Sequence, residues 1–305
     1  MWILAAIFAH TLFAASAVGD KLLFSSRTIK APAAYAALVG VLGALILLIT
    51  PFLGFPILGV KPIIVAALAG ALFVLALFPY FIGLSKYEAS RIIPAVGGFV
   101  PLFTLLFTIM FVPGGASLSL WDMISFVLMV GGAVALTLEP GVKITQSSLR
   151  YSILASALFG GFFTVSKLAY NMQPFWSGLL WSRLGGALIA FASLCIPFIW
   201  KDLYKSGKGD KSSRHPIFLV LLVQAVGALA SVSESIAVYL APIHYVSFVN
   251  AIQGVQYAII LVVGMFLARF VPRLWSEKIT GSAIRTKVLG VLSIIVGLFM
   301  LTSNA

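Results

Sequence analysis

Ten runs of about 20 predominantly apolar residues, joined mostly by links too short to hold a domain, dominate this chain. In hydrocarbon a backbone must satisfy its own N–H and C=O groups, and a run of that length does so as a helix. The pattern therefore predicts an all-α integral membrane protein with ten transmembrane helices, near 2–19, 33–51, 62–84, 91–112, 120–138, 149–170, 175–199, 216–239, 243–268 and 286–303. Only 9% of the 305 residues are charged and the mean hydropathy is +1.12, whereas a soluble domain carries about 25% charged residues. The net charge of +12 does not point to nucleic acid, because the basic residues sit in short gaps between runs and not along one solvated face. Membrane lipid is the partner that this distribution suits, the basic loop 200–215 included. Cys195 is the one cysteine and lies in an apolar run, so no intrachain disulfide and no metal-ligand spacing exist.

The opening run ends in Ala14-Ala-Ser-Ala17, which resembles a signal-peptide cleavage site. No Lys or Arg precedes it, however, and the same run recurs as part of an internal repeat, so we read it as the first span. Phe13-Ala14 is followed by Lys21, and Phe159-Gly160 by Lys167, each lysine eight residues after its phenylalanine. Ser90 and Gly97 match Ser247 and Gly254 in the same order, and segments five and ten close on Gly132 to Thr137 and Gly297 to Thr302. Such matches describe two copies of five helices, 1–140 and 141–305. An odd number per copy forces the copies to cross the membrane in opposite senses. Charge gives an independent reading: seventeen of the 20 Lys and Arg fall in odd-numbered links, Lys61 alone in an even one, and Lys167 and Arg183 within spans. The positive-inside rule then places the odd links in the cytoplasm and both termini on the outer side of the cell (inner or plasma) membrane.

Ten spans in inverted halves, the Phe-Gly/Ala-x6-Lys opening of each half, and Tyr87-Glu-Ala-Ser-Arg-Ile-Ile-Pro94 leading into segment four resemble the EamA-type transporters of the drug/metabolite transporter superfamily. The resemblance covers almost the whole chain. It implies a secondary transporter of small organic solutes, with segments five and ten packed together away from the path. Members of that superfamily are often drawn with both termini cytoplasmic, and the charge count here predicts the opposite.

Glu234 is the one carboxylate inside a long apolar run, and an acid at bilayer depth is costly unless paired, protonated or wetted. At 1.5 Å per residue, Arg183 lies roughly 12 Å and Glu234 roughly 8 Å below the outer surface, with Lys167 near the same face. Two readings stay open. These groups line a cavity, hold the polar part of a cargo and exchange partners as it opens to alternate sides, or Arg183 and Glu234 form a static ion pair while Lys167 snorkels to the interface. Asn250, Gln253 and Tyr257 share a helical face with Gly254, as do Gly160, Thr164, Lys167 and Asn171, and Gln224, Ser231 and Ser235 form a fainter line. Cavity lining and interhelical hydrogen bonding would both produce such stripes. His10, mid-span, either serves proton coupling or bonds a neighbouring carbonyl. Lys21 is a gate or an interfacial anchor, Glu88 and Ser90 suit a cap for segment four, and Pro79, Pro94 and Pro101 either kink helices or open carbonyls to a cavity.

No GxxxxGK[ST], HExxH or GxSxG motif and no Cys/His cluster occurs. The expectation is therefore a carrier and not an enzyme, with no cofactor or metal, acting as a monomer or homodimer. It moves a small-molecule solute by alternating access, with proton coupling through Glu234 as one option. The rival expectation is a scaffold or lipid-interacting subunit that transports nothing, whose polar stripes would be packed shut.

Overall fold

The computed structural model describes residues 1–24, 32–87, 89–112, 117–137, 145–197, 199–200, 217–270 and 281–304, and helices make up all the regular structure among them. We label Trp2–Phe24 α1, Val60–Lys86 α3, Ala89–Phe111 α4, Leu120–Thr137 α5, Gln146–Met172 α6, Phe175–Leu194 α7, Ile217–Leu240 α8 and Gly281–Asn304 α10. Two further helices are interrupted. Helix α2 runs over Pro32–Leu42, tightens to a 3₁₀ stretch at Gly43–Ile49 and ends as Thr50–Leu53; α9 consists of Val246–Ala251 and Gln253–Phe270, parted at Ile252. Among the described residues eight helices are long and apolar enough to cross a membrane, while the apolar windows of α5 (Leu120–Leu136) and α8 (Ala225–Leu240) are shorter. The chain is a multi-pass, all-helical membrane protein.

Side-chain exposure agrees with that medium. Leu188 and Phe299 are 68% and 72% exposed, and Phe8, Leu48, Ile64, Leu106, Val127, Val262 and Leu289 likewise point away from the core. A water-soluble monomer rarely shows apolar surface on this scale, whereas lipid tails accept it. With no hydrophobic drive between helices in lipid, close backbone approach does the work, and small residues permit it. Gly132 of α5 lies against Gly290 and Ile294 of α10, and Gly297 against Ser125 and Met129, so neither glycine has room for a Cβ. Ser125 adds a 2.7 Å hydrogen bond to the Gly297 carbonyl. Gly70 of α3 meets the backbone of Ser182 and Gly186 on α7, and Gly185 meets that of Ala67, with equally little space.

The remaining neighbours define a simple pairing. Helix α1 packs on α8 and α9, α3 on α6 and α7, α4 on α6 and α9, and α2 on α7 and α3. The largest buried cluster joins Trp2, Ile92, Phe126, Met129, Phe163 and Phe248, at the meeting of α1, α4, α5, α6 and α9. Pro79, Pro94 and Pro101 sit inside helices that continue through them. The interruptions fall instead in α2, where Pro51 stands at the start of the last helical turn, and in α9, which holds no proline. Local caps are conventional: the Thr145 hydroxyl accepts from Ser148 N at 3.3 Å and the Ser148 hydroxyl from Thr145 N at 3.1 Å, and Ser119 and Asp122 reciprocate in the same way before α5. The side chains of Lys21, Glu88, Ser90 and Gln224 lie outside the described residues.

Candidate functional site

Helix α7 starts behind Pro174, which cannot donate into a helix and suits its first turn, and Arg183 follows two turns later. That places the guanidinium near mid-membrane depth. Its Nη2 donates to the Ser231 hydroxyl on α8 at 2.6 Å, and its carbon lies 6.0 Å from the centre of the Phe73 ring on α3. Ser231 sits one turn before Glu234, so Arg183 is drawn to the helix that carries the acid. Glu234 is half-buried, and Arg183 is the charged group that acts on it electrostatically. Among the described residues the guanidinium meets Ser231 by hydrogen bond and Glu234 through the field alone, so the tight static ion pair of the second sequence reading is not formed. Tyr170 of α6, buried and not singled out from the sequence, feels both charges.

Beside Arg183 a small open cavity of about 20 Å³, room for a water molecule, lies between α2, α3, α6 and α7. Gly40 and Gly43, Gly70 and Phe73, Phe162, Ser182 and Arg183 line it. These positions fall near the middles of their helices, so the space sits at mid-membrane level. Its walls are glycine and phenyl, and its one charge is positive. An aromatic group closes over this level toward the start of α7: Tyr170, Phe175 and Tyr239 meet with ring centres 5.6 to 5.8 Å apart.

Lys167 does not join Arg183 and Glu234. It is buried, and its Nζ donates to the Tyr239 carbonyl at 2.7 Å, in the last turn of α8. A cation there satisfies one of the orphan carbonyls and suits the negative helix end, so it is not snorkelling to the interface. His10 is 2% exposed and its Nε2 lies 3.0 Å from the Val249 carbonyl in the first half of α9, while Nδ1 has no partner among the described residues. It is therefore the carbonyl-bound histidine of the second sequence reading, with one nitrogen left over.

The polar stripes mostly close on one another. Asn250 gives its amide to the Thr104 hydroxyl at 3.0 Å; the Thr164 hydroxyl lies 3.0 Å from the Gly160 carbonyl, 3.4 Å from the Thr104 carbonyl and 3.5 Å from the Thr108 hydroxyl. This network ties α4, α6 and α9. Tyr257 is buried beside Gly97, in a cluster with Ala133, Leu136 and Ile294, and Gln253 is half-buried just past the break in α9. Asn171 is exposed. The structure thus separates two polar groups: Arg183, Glu234, Tyr170 and Ser231 around α7 and α8, and His10, Asn250 and the threonines around α9.

Phe73, Phe162 and Tyr170 were absent from the sequence reading, whereas Ser231 stood in the faint polar line of segment eight. Spacing could have flagged Tyr170, which follows Lys167 by three residues on the same helical face. No protein-family model matches this chain, and no curated protein matches it in sequence. A solved structure described only as "Crystal structure of protein" superposes with a TM-score of 0.68 at 17% identity, over 100% of this chain and 99% of that one. A likeness at that identity speaks for a shared fold.

Proposed function

We propose that this chain is a secondary carrier of the EamA type, with ten spans arranged as inverted halves 1–140 and 141–305, that moves a small organic solute by alternating access. The observation that carries the reading is Arg183, a cation held at mid-membrane level on the wall of an open cavity with Glu234 close by and not locked to it. Ionisable groups at that depth mark solute or ion paths by default, and carriers place their sites near the bilayer midplane between repeats.

The pairing of helices supports the inverted halves. Exchanging each helix with its counterpart five places on maps the α1–α8 contact onto α6–α3 and the α4–α6 contact onto α9–α1, while α2–α7, α4–α9 and α5–α10 map onto themselves. Several pairs break the pattern: α5 packs on α9 while α10 and α4 meet sparsely at most among the described residues, and α2 packs on α3 far more than α7 on α8. Helix α3 packs tightly on α7, whereas the equivalent pair, α8 and α2, meets sparsely at most among the described residues. A carrier caught open to one side requires such inequality, because the two halves must then differ in conformation. On this reading both termini and the even links lie outside the inner or plasma membrane, as the basic residues of the odd links suggest. Glu234 is the group that exchanges a proton or meets cargo, with Arg183 as its partner.

The experiment is a thermal-shift screen of the purified protein against amino acids, organic acids, nucleosides, sugars and cationic drugs, followed by uptake of each stabilising solute into proteoliposomes. We expect Glu234→Gln to cut uptake at least tenfold or to remove its pH dependence. Unchanged rate and pH profile would remove Glu234 from the mechanism. Stabilisation without uptake of any solute would return the chain to the scaffold reading, which the closed threonine–Asn250 network favours.

A further inference from the structure

The link between α2 and α3, residues 54–59, is not helical, and it turns at its two ends on Gly54 and Gly59, whose φ of 79° and 121° suit glycine and few other residues. Its outward side is bare: Phe52, Ile57 and Val60, in and beside it, are 84%, 73% and 74% exposed. What holds it is the start of α7. The Trp176 indole N–H donates to the Gly54 carbonyl at 3.0 Å and that of Trp181 to the Pro56 carbonyl at 2.8 Å, with the Phe55 ring edge-on to Trp181 at 5.2 Å. Just before α7, the Gln173 amide N–H₂ donates to the Pro62 carbonyl in the first turn of α3 at 3.0 Å. Its oxygen accepts from the Ser177 hydroxyl at 2.7 Å, which fixes the way the amide points. These bonds close one end of the α3–α7 seam, whose middle is the contact of Gly70 with Ser182 and Gly186. The Tyr170, Phe175 and Tyr239 rings gather at the same end.

We propose that residues 54–59 form a strap that keeps the α3–α7 seam shut at its outer end, with the Trp176 and Trp181 indoles as its clasps. Releasing them lets the start of α3 swing away from the start of α7 about the Gly70–Gly186 contact. The position of the clasps suits a device that opens and closes. At a membrane interface a freed indole N–H and a freed carbonyl both find water, so the bonds break without stranding a polar group in hydrocarbon. The glycines at both ends let the strap change its backbone course. The inference rests on the carrier reading for its purpose and its side of the membrane, whereas the strap itself stands on these bonds.

The test uses the full-length protein in nanodiscs with Cys195→Ser and nitroxide labels at Val60→Cys on α3 and Pro174→Cys before α7, both exposed positions. Dipolar broadening and pulsed double resonance read the gap between them. The parent should show mainly one short separation. Trp176→Phe with Trp181→Phe keeps two rings and removes both donors, and it should raise the share of a second, longer separation roughly tenfold. Gly54→Ala leaves the indoles in place: a Cβ there meets nothing within 4 Å, so it acts by straining the turn alone, and it should raise the same longer separation. Trp121→Phe, at the exposed start of α5, should leave the distribution as in the parent. A purely structural role predicts a lower Tm with the short separation kept. That result in both strap variants, or in Gly54→Ala should the double variant not fold, overturns the proposal, as does a longer separation in Trp121→Phe. A longer separation in the strap variants of a protein that takes up no solute would sink the carrier reading and leave the strap in place; uptake with only the short separation in those variants would do the reverse.

Discussion

A lone guanidinium at mid-membrane depth costs several kcal/mol unless something shares its charge, and here Glu234 is the sharer. The groups that act on Glu234 are Arg183 from α7 and Tyr170 from α6; Lys167 of α6 is engaged at Tyr239, and His10 of α1 at Val249. Removing the carboxylate leaves the guanidinium to the Ser231 hydroxyl alone, so Glu234→Gln should lower stability by about 1–3 kcal/mol, read as a fall in Tm. Lys167 gives a different prediction: removing its ammonium leaves the Tyr239 carbonyl unpaired at the end of α8, so Lys167→Met should lower stability by about 1–3 kcal/mol, read as a fall in Tm. Charges in apolar runs were legible from sequence because each one breaks the pattern. Phe73 and Phe162 were not, since a phenylalanine that lines a cavity reads the same as one that faces lipid.

Helix positions were equally legible, because every long apolar run became a helix within a few residues of the ends that hydropathy gives. The interruptions were not. Prolines suggested breaks in segments three and four, yet neighbouring helices absorb Pro79, Pro94 and Pro101, and in α4 the Thr104 hydroxyl bonds the Val100 carbonyl. The discontinuity in α9 at Ile252 arises from tertiary context, where Asn250 is pulled to Thr104 and the Val249 carbonyl to His10. Glycines separate by the same logic. Gly131 and Gly132 are adjacent in α5 and indistinguishable in sequence, but a Cβ on Gly131 meets nothing within 4 Å, and one on Gly132 runs into the Gly290 carbonyl and Ile294 of α10. Gly131→Leu should leave folding and melting close to wild type. Gly132→Leu should cost about 3 kcal/mol or more by forcing α5 and α10 apart, seen as lost monodisperse protein in gel filtration and a lower Tm.

At the scale of the whole molecule, the proposed inverted halves and the unequal packing of α3–α7 and α2–α8 together say what a second conformation must look like. If the halves exchange their shapes, the α3–α7 seam has to open as α2 and α8 close, and the cavity beside Arg183 changes the side that it faces. The proposed repeat would imply this exchange, but sequence alone could not say which seam is shut, because both pairs carry small residues. Coordinates supply that: Gly70 and Gly186 lie backbone to backbone, and a Cβ on Gly186 would lie 3.1 Å from Val74 Cγ2. Cysteines at Val74 and Gly186 are therefore within disulfide reach in this state and must separate in the other. In a Cys195→Ser background, Val74→Cys with Gly186→Cys should cross-link on mild oxidation, stop uptake into proteoliposomes by at least tenfold, and recover on reduction. Either single cysteine should transport with or without oxidant. Full uptake by the cross-linked protein would mean that the α3–α7 seam stays shut throughout, and the alternating-access reading would lose the one interface on which this structure rests it.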